Sequence, residues 1–172
     1  IDESVQQAGR LDVLINNASA FFPTPVGKTE PAQWDSLLDV NLKAPFFLSQ
    51  AAAPELRKTR GCIINLVDIY ADRPLQDHAA YCASKAGLLS RTRSFAQQLA
   101  PEVRVNGISP GAILWPENDH DQIGHQRLLS RVPLKRTGEP EDIARTALFL
   151  IHAAPYVTGH VIPVDGGRSL MP

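Results

Sequence analysis

Short apolar runs that alternate with longer amphipathic segments constrain the fold of this chain most strongly. The runs fall at residues 13–15, 63–67, 103–108 and 159–164. Each ends close to turn-forming residues such as asparagine or glycine, which is typical of strands. Between them, apolar side chains recur at helical spacing, as in Leu88, Thr92, Phe95 and Leu99. The alternation predicts a parallel sheet that is covered by helices on both faces.

Two further helices are predicted from the same periodicity. The first carries the apolar stripe Trp34, Leu37, Leu38 and Leu42. The second begins near Glu139, because Pro140 suits a first helical turn and the acids beside it suit the helix dipole. Its apolar face is expected to bury Ile143, Ala147, Leu150 and Ile151.

The composition indicates a single globular domain over residues 1–172, because 44% of the residues are hydrophobic and 20% are charged. A net charge of −1 gives no general attraction for nucleic acid or an anionic membrane. No apolar stretch approaches the roughly 20 residues that span a bilayer, and no signal peptide opens the chain. Cys62 and Cys82 form neither a disulfide framework nor a metal pattern. We therefore expect a cytoplasmic protein without a metal site.

Three groups of polar or turn residues follow predicted strands and are expected to line one cleft. They are residues 16–19, Asp68, and residues 109–111. The expectation rests on the general rule that ligands of parallel α/β sheets bind at the carboxyl ends of the strands. Each group also has a simpler interpretation, since Asn17 and Ser19 suit ordinary turns and Asp68 suits a turn cap.

Tyr81 and Lys85 are four residues apart, so a helix places them on one face as a proton donor beside a cation. A nearby cation favours the phenolate and lowers the pKa of a tyrosine, whereas an anion such as Asp68 opposes that effect. Asn41 interrupts an apolar stripe at a position that faces the core, where its amide must find partners. Three roles are open for Asn41: an amide whose hydrogen bonds are satisfied in the core, a residue that bends the helix near Pro45, or a functional group.

Five motifs in a fixed order carry a family resemblance. They are NNAS at 16–19, DVNL at 39–42, YCASK at 81–85, SPGAI at 109–113 and VTGHVIPVDGG at 157–167. The chain resembles the C-terminal two thirds of a short-chain dehydrogenase/reductase. The resemblance implies a Rossmann-like, doubly wound parallel sheet, a hydride transfer with a nicotinamide cofactor, and a homodimer or homotetramer.

The resemblance also implies roles for individual residues. Tyr81 would donate the proton, Lys85 would bind the nicotinamide ribose, and Asn41 would hold a proton-relay water. The residues expected to line the cofactor are Asn17, Ala18, Ser19, Tyr81, Lys85, Pro110, Gly111 and Ile113.

Asp68 and an aromatic motif narrow the resemblance to one branch. Most members of the family have a serine where this chain has Asp68, thirteen residues before Tyr81. Pteridine reductases share the aspartate and the pattern NNAS-x-FxPTP, which stands here at residues 16–25. In that branch Phe21 would stack on a pterin. We therefore expect Ser19, Phe21, Asp68, Tyr81 and Trp115 to contact the substrate, although Trp115 equally suits packing of a lid.

These residues lead to the hypothesis of an NADPH-dependent pteridine reductase acting on a dihydropterin or dihydrofolate. Asp68 would keep Tyr81 protonated and help to protonate a ring nitrogen of a C=N bond.

The polar stretch 118–122, with His125, has no metal-ligand spacing and predicts a solvated loop.

Members of the family begin with a strand that is followed by a glycine-rich TGxxxGxG turn. This chain has no match to that segment, so we expect a fold that lacks the N-terminal βαβ unit. Two alternatives remain open at this point. One is a general carbonyl or alcohol oxidoreductase of the same family. The other is an inactive truncated protein that only binds or oligomerises.

Overall fold

The computed structural model describes residues 1–114 and 122–171, and in this part of the chain four strands form one parallel sheet. The strands are β1 (Val13–Asn16), β2 (Cys62–Leu66), β3 (Arg104–Pro110) and β4 (Val161–Val164). They pair in chain order, with Asn16 opposite Asn65 and Gly107 opposite Val161. This confirms the α/β class and the Rossmann-like parallel sheet.

Six helices surround the sheet within the described residues. They are α1 (Asp2–Ala8), α2 (Pro31–Leu38), α3 (Ala44–Thr59), α4 (Ala79–Leu99), α5 (Gln122–Ser130) and α6 (Pro140–Leu148). Two π-helical segments cover Asp39–Lys43 and Phe149–Ala153, and two 3₁₀ turns cover Ile69–Ala71 and Arg168–Leu170. Across residues 1–114 and 122–171, every helix is too short or too polar to cross a membrane.

Apolar residues are buried on both faces of the sheet, as the alternation predicted. Ile63 and Val105 face α3 and α4, whereas Ile64 and Ile108 face α6 and its π-helical extension. Neighbouring residues of one strand thus enter different cores, because successive side chains of a strand point to opposite faces.

Element boundaries differ from the predictions by a few residues. β3 begins at Arg104 rather than at residue 103 and continues to Pro110. β4 begins at Val161 rather than at Gly159, because the backbone of Gly159 turns through a positive φ of 77°. The solvated loop predicted for residues 118–122 with His125 is wrong at its C-terminal end, because α5 begins at Gln122 and includes His125. Trp115 and residues 116–121 lie outside the described residues.

The helix predicted around residue 41 passes through a π-helical segment before it continues as α3. Pro45 explains the change, because it has no N–H to donate to the carbonyl of Asn41 four residues earlier. The N–H of Ala44 instead donates to the carbonyl of Asp39, five residues back. The proline predicted to bend this helix therefore changes its hydrogen-bond pattern.

Candidate active site

The carboxyl ends of β1, β2 and β3 open into one cleft with a volume of about 570 Å³. The predicted residues that line this cleft are Asn17, Ser19, Asp68, Tyr81, Lys85, Pro110, Gly111 and Ile113. α6 contributes the opposite wall through Ile143, Ala144 and Ala147. The volume lies within the range of small-molecule sites, which is about 300 to 1,000 Å³.

Asp68 links the end of β2 to α4. Its Oδ2 accepts a hydrogen bond of 2.7 Å from the hydroxyl of Tyr81. Its Oδ1 accepts a second, of 2.8 Å, from the backbone N–H of Tyr70 at the start of a 3₁₀ turn. The carboxylate therefore caps a turn and contacts Tyr81 at the same time. The simpler interpretation, a turn cap, and the functional one, a group beside the tyrosine, both apply to Asp68.

Lys85 lies one helical turn after Tyr81 and is only 2% exposed. Its ammonium group donates to the carbonyl oxygen of Leu66 at 3.0 Å and lies 5.7 Å from the centroid of the Tyr81 ring. A lysine has three N–H donors, so two remain for a ligand in the cleft. The carbonyl of Leu66, at the end of β2, thus fixes the position of the cation.

Burial and mutual charge perturb all three ionisable groups. Burial raises the pKa of Asp68, against the hydrogen bonds from Tyr81 and Tyr70 and the charge of Lys85. Burial, followed by the charge of Asp68, also raises the pKa of Tyr81 well above its usual value. Burial lowers the pKa of Lys85 to about 8, although Asp68 opposes this. Tyr81 is therefore held in its protonated form, as the sequence predicted from Asp68, and the expected lowering of its pKa by Lys85 does not prevail.

Asn41 is fully buried, and its amide is saturated by protein groups. Its Nδ2 donates to the carbonyl of Ala20 at 2.9 Å and to Ser84 at 3.0 Å. Its Oδ1 accepts from the N–H of Ala20 at 2.8 Å and from Ser19 at 3.2 Å. The amide therefore fastens the loop after β1 to α4. The relay-water role implied for Asn41 remains a prediction.

Replacing Asn41 with alanine should lower the free energy of unfolding by about 2 to 4 kcal/mol, because it leaves buried partners unpaired at roughly 1 to 3 kcal/mol each. Urea denaturation measures this loss. The control is Gln98→Ala, at an exposed amide on α4, which we expect to change stability by less than about 0.5 kcal/mol. A loss below about 0.5 kcal/mol for Asn41→Ala would contradict the anchoring role.

Phe21 lies beside the cleft rather than in its wall. It is 55% exposed, so it does not pack in the core. Its ring stacks on His78 at 4.7 Å between centroids and meets the Tyr81 ring edge to face, also at 4.7 Å. Ala18 is exposed next to the cleft-lining residues Asn17 and Ser19.

Several contributors to the site have no side-chain signal in the sequence. The carbonyl of Leu66 and the N–H of Tyr70 are backbone groups, which any residue supplies. Ala144 and Ala147 of α6 are three residues apart, so they share the helix face that lines the cleft, but two alanines at this spacing are equally typical of a core-facing helix. His78 was not expected to stack on Phe21.

A buried polar cluster fixes the strand ends below the cleft. Nδ2 of Asn16 donates to Oδ1 of Asn65 at 2.8 Å and to Ser49 at 3.1 Å. Arg91 reaches the same oxygen of Asn65 at 3.0 Å from α4. Because Asn17 and Leu66 directly follow Asn16 and Asn65, the cluster holds in place the residues that contact Lys85 and line the cleft.

The whole described chain resembles known oxidoreductases. The family profile described as enoyl-(acyl carrier protein) reductase matches residues 1–169. The 3-oxoacyl-(acyl-carrier-protein) reductase FabG of Thermotoga maritima is 37% identical over 171 residues, which cover 97% of this chain and 70% of that protein. The protein of the same name from Staphylococcus aureus strain Mu50 is 39% identical over 175 residues, which cover 99% of this chain and 71% of that protein.

A solved structure described as a short-chain alcohol dehydrogenase from Sinorhizobium meliloti 1021 has the same fold. Its TM-score is 0.94 at 35% identity, and the match covers 99% of this chain and 70% of that chain. The parallel sheet is thus that of an α/β oxidoreductase, and Asp68, Tyr81 and Lys85 line one cleft of it. The chain belongs to the short-chain dehydrogenase/reductase family, whose members depend on NAD(P). These relatives bear the name of a 3-oxoacyl reductase, so the pterin assignment stays a proposal.

The cleft suits the nicotinamide half of such a cofactor. One wall is polar and carries Lys85, with two N–H donors left for ribose hydroxyls. The other wall is apolar and carries Pro110, Ile113 and Ile143, which suit the face of a planar ring. A side chain at Gly111 would collide with Asp165, so glycine allows the loop after β3 to approach that residue closely.

Proposed function

We propose that this chain is an NADPH-dependent pteridine reductase, which reduces a C=N bond of a dihydropterin or of dihydrofolate. The observation that carries the proposal is the 2.7 Å hydrogen bond from the hydroxyl of Tyr81 to the carboxylate of Asp68. When bound, the cofactor supplies the hydride. The protein must supply a proton, so that the C=N bond becomes CH–NH.

An aspartate at this position suits nitrogen protonation better than carbonyl binding. An ionised carboxylate accepts hydrogen bonds only, so it cannot hold the oxygen of a carbonyl substrate as a hydroxyl would. A carboxyl group whose pKa is raised by burial, as for Asp68, can instead carry a proton. A ring nitrogen is basic enough to take that proton completely, through Tyr81 or from Asp68 itself.

Asp68 and Tyr81 are best treated as one proton-donating pair. While Asp68 is ionised, the hydroxyl hydrogen of Tyr81 points to the carboxylate and not to the cleft. When Asp68 is protonated, it donates to the phenol oxygen, and the hydrogen of Tyr81 turns to the substrate. Because the two titrations are coupled, apparent pKa values belong to the pair.

Phe21 supports a flat aromatic substrate, because it is exposed and contacts the Tyr81 ring. Phe21→Leu should raise the KM for dihydrobiopterin by about 3- to 10-fold, the equivalent of one aromatic stack. Steady-state kinetics measures this. The control is Phe149→Leu, at a phenylalanine that is 48% exposed directly after α6, which should leave the KM unchanged. An unchanged KM in Phe21→Leu would exclude stacking on Phe21.

Reduction of a 3-oxoacyl thioester is the second candidate, and it gives the general carbonyl alternative a specific substrate. The relatives at 37% and 39% identity favour it. NADPH oxidation with dihydrobiopterin and with acetoacetyl-coenzyme A separates the two. We expect kcat/KM to be at least about 100-fold higher for the pterin, because a thioester carbonyl gains no donor from an ionised Asp68. The opposite order would contradict the pterin proposal.

Self-association is part of the proposal. The exposed apolar residues Phe46, Phe47 and Leu48 on α3 support it, and relatives of this family are typically oligomers. Two free, buried cysteines are consistent with a cytoplasmic location, which we also propose.

A further inference from the structure

A second cavity, of about 320 Å³, lies next to the reaction cleft. Asp68 lines the cleft, and the next two residues of the same turn, Ile69 and Tyr70, line the second cavity. The turn after β2 therefore separates the two spaces.

Three arginines from three separate segments line this second cavity. Arg73 follows the turn after β2, Arg131 follows α5, and Arg168 opens the 3₁₀ turn after β4. Their guanidinium groups are donors only, and the other polar side chains of the lining, Tyr70 and Gln76, can each donate as well. A chain of net charge −1 thus concentrates three positive charges on one small space.

The positions of two of these arginines are fixed by backbone contacts. Arg73 donates to the carbonyls of Arg168 and Ser169, at 3.2 and 2.7 Å. Asp165 caps the turn that carries Arg168 by accepting from the N–H groups of Gly167 and Ser169, at 2.9 and 2.7 Å. Arg168 also donates to the carbonyl of Met171 at 3.2 Å, and among the residues that the structure describes these contacts occupy only a minority of the guanidinium donors.

No carboxylate of the described residues lies at ion-pair distance from Arg73, Arg131 or Arg168. Three like charges in one cavity repel each other unless an anion joins them. Planar guanidinium groups match carboxylates and phosphates in two-point contacts. The three guanidinium groups therefore suit a negatively charged ligand.

We propose that the cavity formed by Tyr70, Arg73, Arg131 and Arg168 binds an anionic tail of the substrate whose reacting group occupies the neighbouring cleft. The identity of that tail rests on the proposed function: for a pteridine reductase it is the glutamate carboxylates of dihydrofolate. The phosphate of a phosphopantetheine thioester has the same chemistry. Dihydrobiopterin has no such tail and does not use the cavity.

Arg131→Gln and Arg168→Gln test the proposal through substrates with and without the tail. Arg131 is exposed, so its replacement does not threaten folding. We expect KM for dihydrofolate to rise at least about 10-fold with kcat within 2-fold, and KM for dihydrobiopterin to change less than 2-fold. The matched control, Arg93→Gln on α4, should change neither. Equal effects on both substrates, or none on dihydrofolate, would overturn the inference.

Direct binding separates this inference from the proposed function. Calorimetric titration with p-aminobenzoylglutamate, and separately with phosphopantetheine, measures the cavity without any pterin. Binding of the glutamate compound that Arg131→Gln weakens at least 10-fold supports the carboxylate source. If pterins are not reduced but phosphopantetheine binds with the same dependence on Arg131, the proposed function fails and the anion cavity stands. Binding of neither compound would refute the cavity.

Discussion

Asp68→Asn should lower kcat for dihydrobiopterin by about 10²- to 10⁴-fold, the usual effect of losing a positioned acid. Asparagine has nearly the same size, and its side-chain oxygen still accepts hydrogen bonds, as the carboxylate does from Tyr70 and Tyr81. It has no titratable proton, so the pair with Tyr81 loses one of its two protons. NADPH absorbance at saturating pterin measures the loss.

Two variants make the Asp68 result specific. Asp72→Asn, at an exposed aspartate four residues along the chain, should retain the wild-type turnover. Asp68→Ser places the hydroxyl common in the family at this position, and it should lose pterin turnover as Asp68→Asn does. A turnover within about threefold of wild type for either Asp68 variant would mean that Asp68 is only a turn cap.

Lys85→Met is the second change with a large expected effect. It should lower kcat/KM by about 100-fold or more, because the cleft loses a cation next to Asp68 and two donors for the ribose. Methionine keeps the length and the apolar contacts of the lysine stem. A comparison with Lys43→Met, at an exposed lysine before α3, controls for charge.

The same variant has a testable effect on stability. The pKa of Lys85 is about 8 in the folded chain, below its ordinary value of 10.5. Between these values the unfolded chain binds the proton more readily, so stability rises with pH and is lost as the pH falls towards 8. The free energy of unfolding of the wild type should therefore gain up to about 1 kcal/mol per pH unit relative to Lys85→Met.

Urea denaturation at pH 7, 8, 9 and 10 gives this difference directly. Tyr81 also affects stability near the upper end of the range, but it is present in both proteins and cancels in the comparison. Parallel curves for the wild type and Lys85→Met would show that Lys85 titrates near its ordinary value.

The spacing of residues predicted the parallel sheet and the cleft because both follow from local rules. Tyr81 and Lys85 share a face of α4 because they are four residues apart, and they line the cleft together. Asn17, Asp68 and Gly111 line the same cleft because each lies at the carboxyl end of a parallel strand. The proximity of Asp68 to Tyr81 is expected from the family resemblance, and the hydroxyl of Tyr81 does donate to Asp68.

Features that depend on backbone atoms or distant segments were not predictable in this way. The carbonyl of Leu66 that holds Lys85 has no side-chain signature. Arg73 and Arg168 are 95 residues apart, and only the complete fold brings them to one cavity. The saturation of Asn41 by Ala20 likewise depends on how the loop after β1 folds back on α4.

The pH dependence of kcat for dihydrobiopterin, in the wild type and in Asp68→Asn, tests most directly whether Asp68 and Tyr81 act as one proton-donating pair. The pKa of Tyr81 is raised far above the working range and that of Lys85 is about 8, so a fall in kcat that begins at lower pH than the Lys85 titration reports the carboxyl group of the pair. We predict that the wild-type profile falls as the pH rises and that this descending limb is absent in Asp68→Asn, at a much lower plateau. Two profiles of the same shape and height would contradict the role of Asp68 in proton delivery.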